Sequence, residues 1–191
     1  MDGSYLDRLR ALRIETRERA DEIARDPEAY WALAAKAVLW RRPWERVFEQ
    51  SEERPWEFAY FTGGRLNACE NAVDRHVVAG KGARPALLWE SDPAGADGDS
   101  AQRRVLTFAE LHARVQACAA AYQRLGLKRG DRIALYLPNV PETSIAMLAA
   151  ARLGIVYTAV CPGLSAGELR YRIDDLGAVL VVTSDVGYRR G

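Results

Sequence analysis

The chain has 191 residues, enough for one sizeable core plus an appendage. Hydrophobic residues make up 49% and charged residues 28%, the balance of a globular domain and not of a disordered or membrane-embedded chain. Lys plus Arg (27) against Asp plus Glu (26) leaves +1, so no global field recommends a nucleic acid or a membrane surface as partner.

Residues 4–26 carry Leu6, Leu9, Leu12, Ala20 and Ile23 among charges, which predicts an amphipathic helix packed on something larger. No apolar run of the kind a secretory signal needs is visible at the N-terminus, and nothing approaches the roughly 18 consecutive apolar residues of a membrane span. Asp26-Pro27 then reads as an N-cap acid followed by proline at the first helical position, opening a second helix over 28–40. Trp44, Phe48, Trp56, Phe58, Tyr60 and Phe61 crowd the next stretch, predicting an irregular aromatic strap with buried rings.

A turn over 63–67 precedes a helix over 71–79, closed by Gly80 and Gly82. From there the pattern becomes α/β. A strand is expected over 85–90, a polar exposed loop over 91–103, and a short strand at Val105-Leu106. Thr107 and Glu110 form a capping box that opens a helix running to about residue 125. Strands over 132–137, 156–160 and 178–183 alternate with helices over 142–153 and 165–176, the second again with a capping box, Ser165 and Glu168. Three apolar strands separated by two helices predict a βαβαβ unit with a parallel sheet. The fold class is therefore α/β: a helical and aromatic arm over 1–83, then a partial, mostly parallel sheet with flanking helices over 84–191.

Ligands of open parallel sheets bind outside the carboxyl ends of the strands. The loops expected there span 138–141, 161–164 and 184–191. Helix N-termini point at that edge, and Arg189 and Arg190 add an electropositive rim suited to phosphate. Neither GxGxxG, nor GxxxxGK[ST], nor GxSxG occurs, which leaves no dinucleotide fingerprint, P-loop or nucleophile elbow. His76 reads as a structural histidine, and His112 has no evident partner. Cys161 lines the edge without a histidine to activate it. Cys69, Cys118 and Cys161 stand far apart with no CxxC, which reads as reduced thiols in a cytoplasmic protein. No metal-ligand spacing and no catalytic constellation is found.

Tyr60-Phe61-Thr62-Gly63-Gly64-Arg65-Leu66-Asn67 and Glu70-Asn71-Ala72-Val73-Asp74-Arg75-His76 together resemble the N-terminal signature of acetyl-CoA and propionyl-CoA synthetases. These belong to the adenylate-forming, AMP-forming acyl-CoA synthetases. Collinear pieces extend the resemblance: Leu106-Thr107-Phe108-Ala109-Glu110-Leu111, Gly130 to Pro138, Pro141-Glu142 with the helix to Gly154, Arg172-Ile173-Asp174-Asp175, and Thr183 to Gly191. Glu70-Asn71 resembles the wording of acetoacetyl-type relatives.

The resemblance implies a parent ligase that turns a short carboxylic acid, ATP-Mg and coenzyme A into the thioester, AMP and pyrophosphate. It implies that Arg189 pairs with a phosphate of coenzyme A, that Arg190 and Gly191 belong to the same loop, and that Cys161, Pro162 and Gly163 border the adenine. The ATP, Mg and carboxylate sites are expected outside this chain, whose partner would be the remainder of the ligase. One departure stands out. Where acetyl-CoA synthetases usually carry Phe-Gly-Gly, this chain has Cys161-Pro162-Gly163, which removes an aromatic stacking surface and a backbone donor. The alternatives are a non-catalytic module that binds coenzyme A or a partner chain, one module of a fusion enzyme, or a small flavodoxin-like nucleotide domain.

Overall fold

A computed structural model describes residues 23–91 and 102–185. The expected first helix therefore lies outside the described residues except for its helical end at 23–25, as do most of the polar loop and the stretch holding Arg189, Arg190 and Gly191. Two compact units are formed, residues 1–65 and 66–191. Residues 66–83, read from sequence with the arm, make their contacts within the second unit.

In the first unit, α1 (Pro27–Ala35) starts as Asp26 and Pro27 dictate: the Asp26 side chain accepts from the Ala29 N–H at 2.9 Å, with proline at the first position. The helix stops well short of Trp40. Lys36, Ala37 and Val38 bond back only three residues, and the Trp40 indole N–H occupies the Ala35 carbonyl at 2.8 Å. A side chain thus takes an acceptor that further helix would use.

The aromatic stretch is not irregular. Strands β1 (Arg46–Gln50) and β2 (Phe58–Thr62) form an antiparallel hairpin in which Phe48 faces Tyr60. Phe58 and Tyr60 share that face by strand alternation, and the three rings pack with centroids 5.3 to 6.3 Å apart. Burial was expected of these rings, yet Trp56, Phe58 and Tyr60 stand 73%, 57% and 60% exposed. A half-buried aromatic cluster lies elsewhere in this unit: Phe61 is within 5.6 Å of both Trp40 and Trp44, in a backbone conformation (φ +52°) that bulky residues rarely adopt.

The second unit opens with a helical segment that is wound too wide, with π turns at Glu70–Asp74 and Val77–Lys81. The Arg75 N–H reaches back five residues to the Glu70 carbonyl. Gly80 turns the chain at φ +72°. Strands β3 (Pro85–Glu90) and β4 (Arg103–Thr107) pair antiparallel. Helix α2 (Phe108–Arg124) carries the predicted capping box: the Thr107 and Glu110 side chains each bond the other's backbone N–H.

The alternation that follows is also as predicted. Strand β5 (Arg132–Tyr136), helix α3 (Pro141–Leu153), strand β6 (Val156–Ala159), helix α4 (Ala166–Leu176) and strand β7 (Leu180–Thr183) succeed one another. The strands form a parallel sheet in the order β6-β5-β7. Its core joins Ile133 and Leu135 of the central strand to Val115, Ala119 and Tyr122 of α2 and to Ile145, Ala146, Ala149 and Ala150 of α3. Cys69 and Val73 close the same core. α4 buries no residue of its own and packs on β5. Among the described residues, no helix is long and apolar enough to cross a membrane.

Candidate functional site

The parallel sheet brings its carboxyl ends to one edge, and the loops after β5 and β6 are described there in full. The first, between Tyr136 and Pro141, is tied down by carbonyl acceptors. The Thr143 hydroxyl donates to the Pro138 carbonyl at 2.7 Å, and the Trp89 indole N–H donates to the Asn139 carbonyl at 2.6 Å. Arg104 lies 5.8 Å over the Trp89 ring and forks onto both Glu142 oxygens, at 2.8 and 3.3 Å.

The second loop carries three of the predicted site residues. Cys161, Pro162 and Gly163 are all exposed, and Cys161 is a free thiol. Gly163 adopts φ +97°, a conformation open to glycine at no cost. Its N–H donates to the Tyr136 hydroxyl at 3.3 Å. Of the third loop only Ser184 and Asp185 are described, so Arg189, Arg190 and Gly191 lie outside the described residues. The structure thus places Cys161, Pro162 and Gly163 on one turn at the expected edge, and it does not describe where the arginines stand.

The helix N-termini at this edge already face carboxylates of the chain. The Glu168 carboxylate accepts from the Ser165 N–H at 2.9 Å and from its hydroxyl at 2.8 Å, which holds its pKa below the ordinary value. Glu142, in the first turn of α3, is held low by its hydrogen bonds from Arg104.

Sequence reasoning missed a second polar cluster. Asp74 accepts from Arg152 on α3, and His112 Nε2 lies 3.1 Å from the same Asp74 oxygen. His112 therefore has a partner after all. His76 instead stacks on Phe108, centroids 4.5 Å apart. The only signal for the Asp74–Arg152 pair was opposite charge, and 78 positions of separation hide it. This cluster is structural: it ties the π-wound segment to α2 and α3. Among the described residues, no group of three His, Cys, Asp or Glu side chains could hold a metal ion.

A mixed α/β unit whose parallel sheet carries an exposed loop at its carboxyl edge is the class of structure defined by these residues. Two family models match the chain. The model for AMP-binding enzymes covers residues 74–190, and the model for the acetyl-coenzyme A synthetase N-terminus covers residues 17–72. The chain belongs to the AMP-binding enzyme family, and its earlier residues are of the acetyl-coenzyme A synthetase N-terminal type.

Curated relatives agree. The chain is 45% identical over 177 residues to an acetyl-coenzyme A synthetase of Mycolicibacterium smegmatis, covering 92% of this chain and 18% of that protein. It is 45% identical over 180 residues to that of Mycobacterium bovis, covering 94% and 26%. With that of Gemmatimonas aurantiaca it shares 42% over 168 residues, covering 88% and 24%. The chain thus spans between 18% and 26% of the length of these relatives.

Proposed function

We propose that this chain is the N-terminal portion of an AMP-forming short-chain acyl-CoA synthetase, acting on acetate, propionate or 3-hydroxypropionate. The parent would convert carboxylate, ATP and coenzyme A to acyl-CoA, AMP and pyrophosphate, in the cytoplasm. Within it, residues 1–83 are the arm and 84–191 the first part of the adenylate-forming domain. The chain contributes part of the coenzyme A nucleotide site: Cys161, Pro162 and Gly163 border the adenine, and Arg189, Arg190 and Gly191 take the phosphates. The exposed turn at the carboxyl edge of the sheet, in a chain matched by both family models, is the observation that carries this reading.

The residues present suit a nucleotide's rim and not its activation. Catalysis of adenylation must neutralise a triphosphate and hold a carboxylate in line with phosphorus. Among the described residues of the edge, the helix N-termini already face Glu142 and Glu168. The centre holding ATP and Mg is therefore assigned to the remainder of the ligase, which is the partner of this chain. Pyrophosphate exchange into ATP with acetate or propionate tests this: the 191-residue chain alone is expected to stay at background. Exchange above background would place an adenylation centre here and overturn the assignment.

A further inference from the structure

The Cys161–Gly163 turn is fixed at both ends by the fold. Before it, the Val160 N–H donates to the Leu135 carbonyl at 2.9 Å, continuing the sheet. After it, the Ser165–Glu168 capping box locks the start of α4. Pro162 has no N–H, and Gly163 stands at φ +97°, where its own conformational preference is weak. The Tyr136 hydroxyl reaches the tip and accepts from the Gly163 N–H at 3.3 Å.

The placement of Tyr136 follows from strand geometry. It is the last residue of β5, the strand paired on both sides, in register with Thr183 of β7. Ile133 and Leu135 point into the core with α2 and α3, so alternation sends Tyr136 to the other face, the side of β5 on which α4 packs. The turn leading into α4 passes over that face. A phenol is long and stiff, with only two side-chain torsions, so it props a turn at a fixed height above the sheet.

Resting on the coenzyme A reading above, we propose that Tyr136 is the positioning residue for the nucleotide turn. Its hydroxyl draws the Gly163 N–H toward the sheet and leaves Cys161 and Pro162 on the exposed side, where the adenine of coenzyme A would lie. In this chain, whose turn has neither the aromatic nor the first glycine of the usual family run, the tyrosine ties the turn to the central strand and helps fix its shape. Preorganisation of this kind raises affinity without a direct contact to the ligand.

The test is Tyr136→Phe in the whole chain, which deletes the hydroxyl and keeps the ring. In the free protein the Gly163 amide should exchange faster with solvent and shift in its NMR resonance. Coenzyme A should bind about three- to tenfold more weakly, as the loss of one ordinary hydrogen bond implies. The ratio of affinities for coenzyme A and dephospho-coenzyme A should not move, because the tyrosine acts on the turn and not on the 3′-phosphate. Gly163→Ala, which strains a backbone at φ +97°, is the second variant and should weaken coenzyme A with Tyr136 intact.

An unchanged Gly163 amide in Tyr136→Phe overturns the proposal whatever coenzyme A does. A perturbed amide with wild-type affinity overturns the positioning role alone. Wild-type protein that fails to bind coenzyme A overturns the nucleotide reading and this inference with it.

Discussion

Asn67 is joined to Arg152 across 85 positions of sequence: its side-chain amide donates to the Arg152 carbonyl at 3.0 Å and to that of Ala151 at 3.2 Å. The same side chain's oxygen accepts from the N–H groups of Cys69 at 2.9 Å and Glu70 at 3.2 Å. One buried amide therefore caps the start of the π-wound segment and the end of α3. It serves donors at the start of one helix and carbonyls at the end of another, a combination of one acceptor oxygen and two N–H donors that Asn and Gln carry.

Asn67→Ala is expected to cost about 2 kcal/mol, one cap plus the Arg152 carbonyl left without its donor, since the Ala151 carbonyl keeps the Gly154 N–H at 3.2 Å. Asn67→Asp should be no better, since a carboxylate keeps the N-terminal bonds but offers no donor to the α3 carbonyls. Urea unfolding at constant m-value reads both. A cost within 0.5 kcal/mol, the ordinary range of a surface substitution, would contradict the double-capping account.

The Asp74–Arg152 pair should behave as a partly buried ion pair, because each side chain is only about a fifth exposed (20% and 22%). Asp74→Ala strands the guanidinium and is expected to destabilise by about 3 kcal/mol. Asp74→Ala combined with Arg152→Met should recover much of that loss, since it removes both charges. A double variant as unstable as the sum of the single variants would show that the two residues do not act together.

Stability should fall with acid in two stages. His76 has a pKa lowered by burial and then by Arg75, Lys81 and Arg84, so the unfolded chain takes up its proton first. Its contribution is whole above the ordinary 6.5 and is lost as pH falls below it. Glu110 and Glu168 are held below 4.5 by hydrogen bonds from Thr107 and Ser165, and Glu142 by those from Arg104. For these carboxyls the stabilisation is complete above 4.5 and disappears as pH drops through their folded values. His76→Gln should flatten only the upper stage, and Glu110→Gln with Glu168→Gln only the lower. Urea midpoints across pH 7 to 3 should show both stages; a profile that the variants leave unchanged would reject the assignment.

The capping boxes give a simpler test. Thr107→Ala and Ser165→Ala each remove a side-chain acceptor at a helix start and are expected to cost about 1 kcal/mol. Thermal unfolding of each variant checks this. Equal melting temperatures for wild type and Thr107→Ala would mean that the α2 box contributes nothing.

What could be read from the sequence was local. Asp26-Pro27, Thr107 with Glu110, and Ser165 with Glu168 announce helix starts within four residues, and the structure bonds each as expected. The strand and helix series from Arg132 onward was equally legible, because apolar runs separated by amphipathic helices leave one economical arrangement. Contacts closed over long separations were not. Asn67 and Asp74 reach α3 from 78 to 85 positions away, and nothing near them in sequence marks the partner. The hairpin over Arg46–Thr62 was hidden by aromatic density, which reads as burial while the alternation of Phe58 and Tyr60 reads as strand. At the carboxyl edge of the sheet, the Cys161–Gly163 turn was placed by topology, whereas its tie to Tyr136 depends on a side-chain direction that spacing alone does not reveal.

Coenzyme A titrated calorimetrically into the chain, in parallel with dephospho-coenzyme A and with an Arg189→Ala variant, tests the nucleotide assignment most directly. The account predicts binding of coenzyme A that weakens on loss of the 3′-phosphate, and equally on loss of Arg189. Charge-assisted phosphate contacts of this kind contribute about 1.5–3 kcal/mol, so roughly ten- to hundredfold is the expected drop. No binding at millimolar coenzyme A, or binding indifferent to both the phosphate and Arg189, would contradict it.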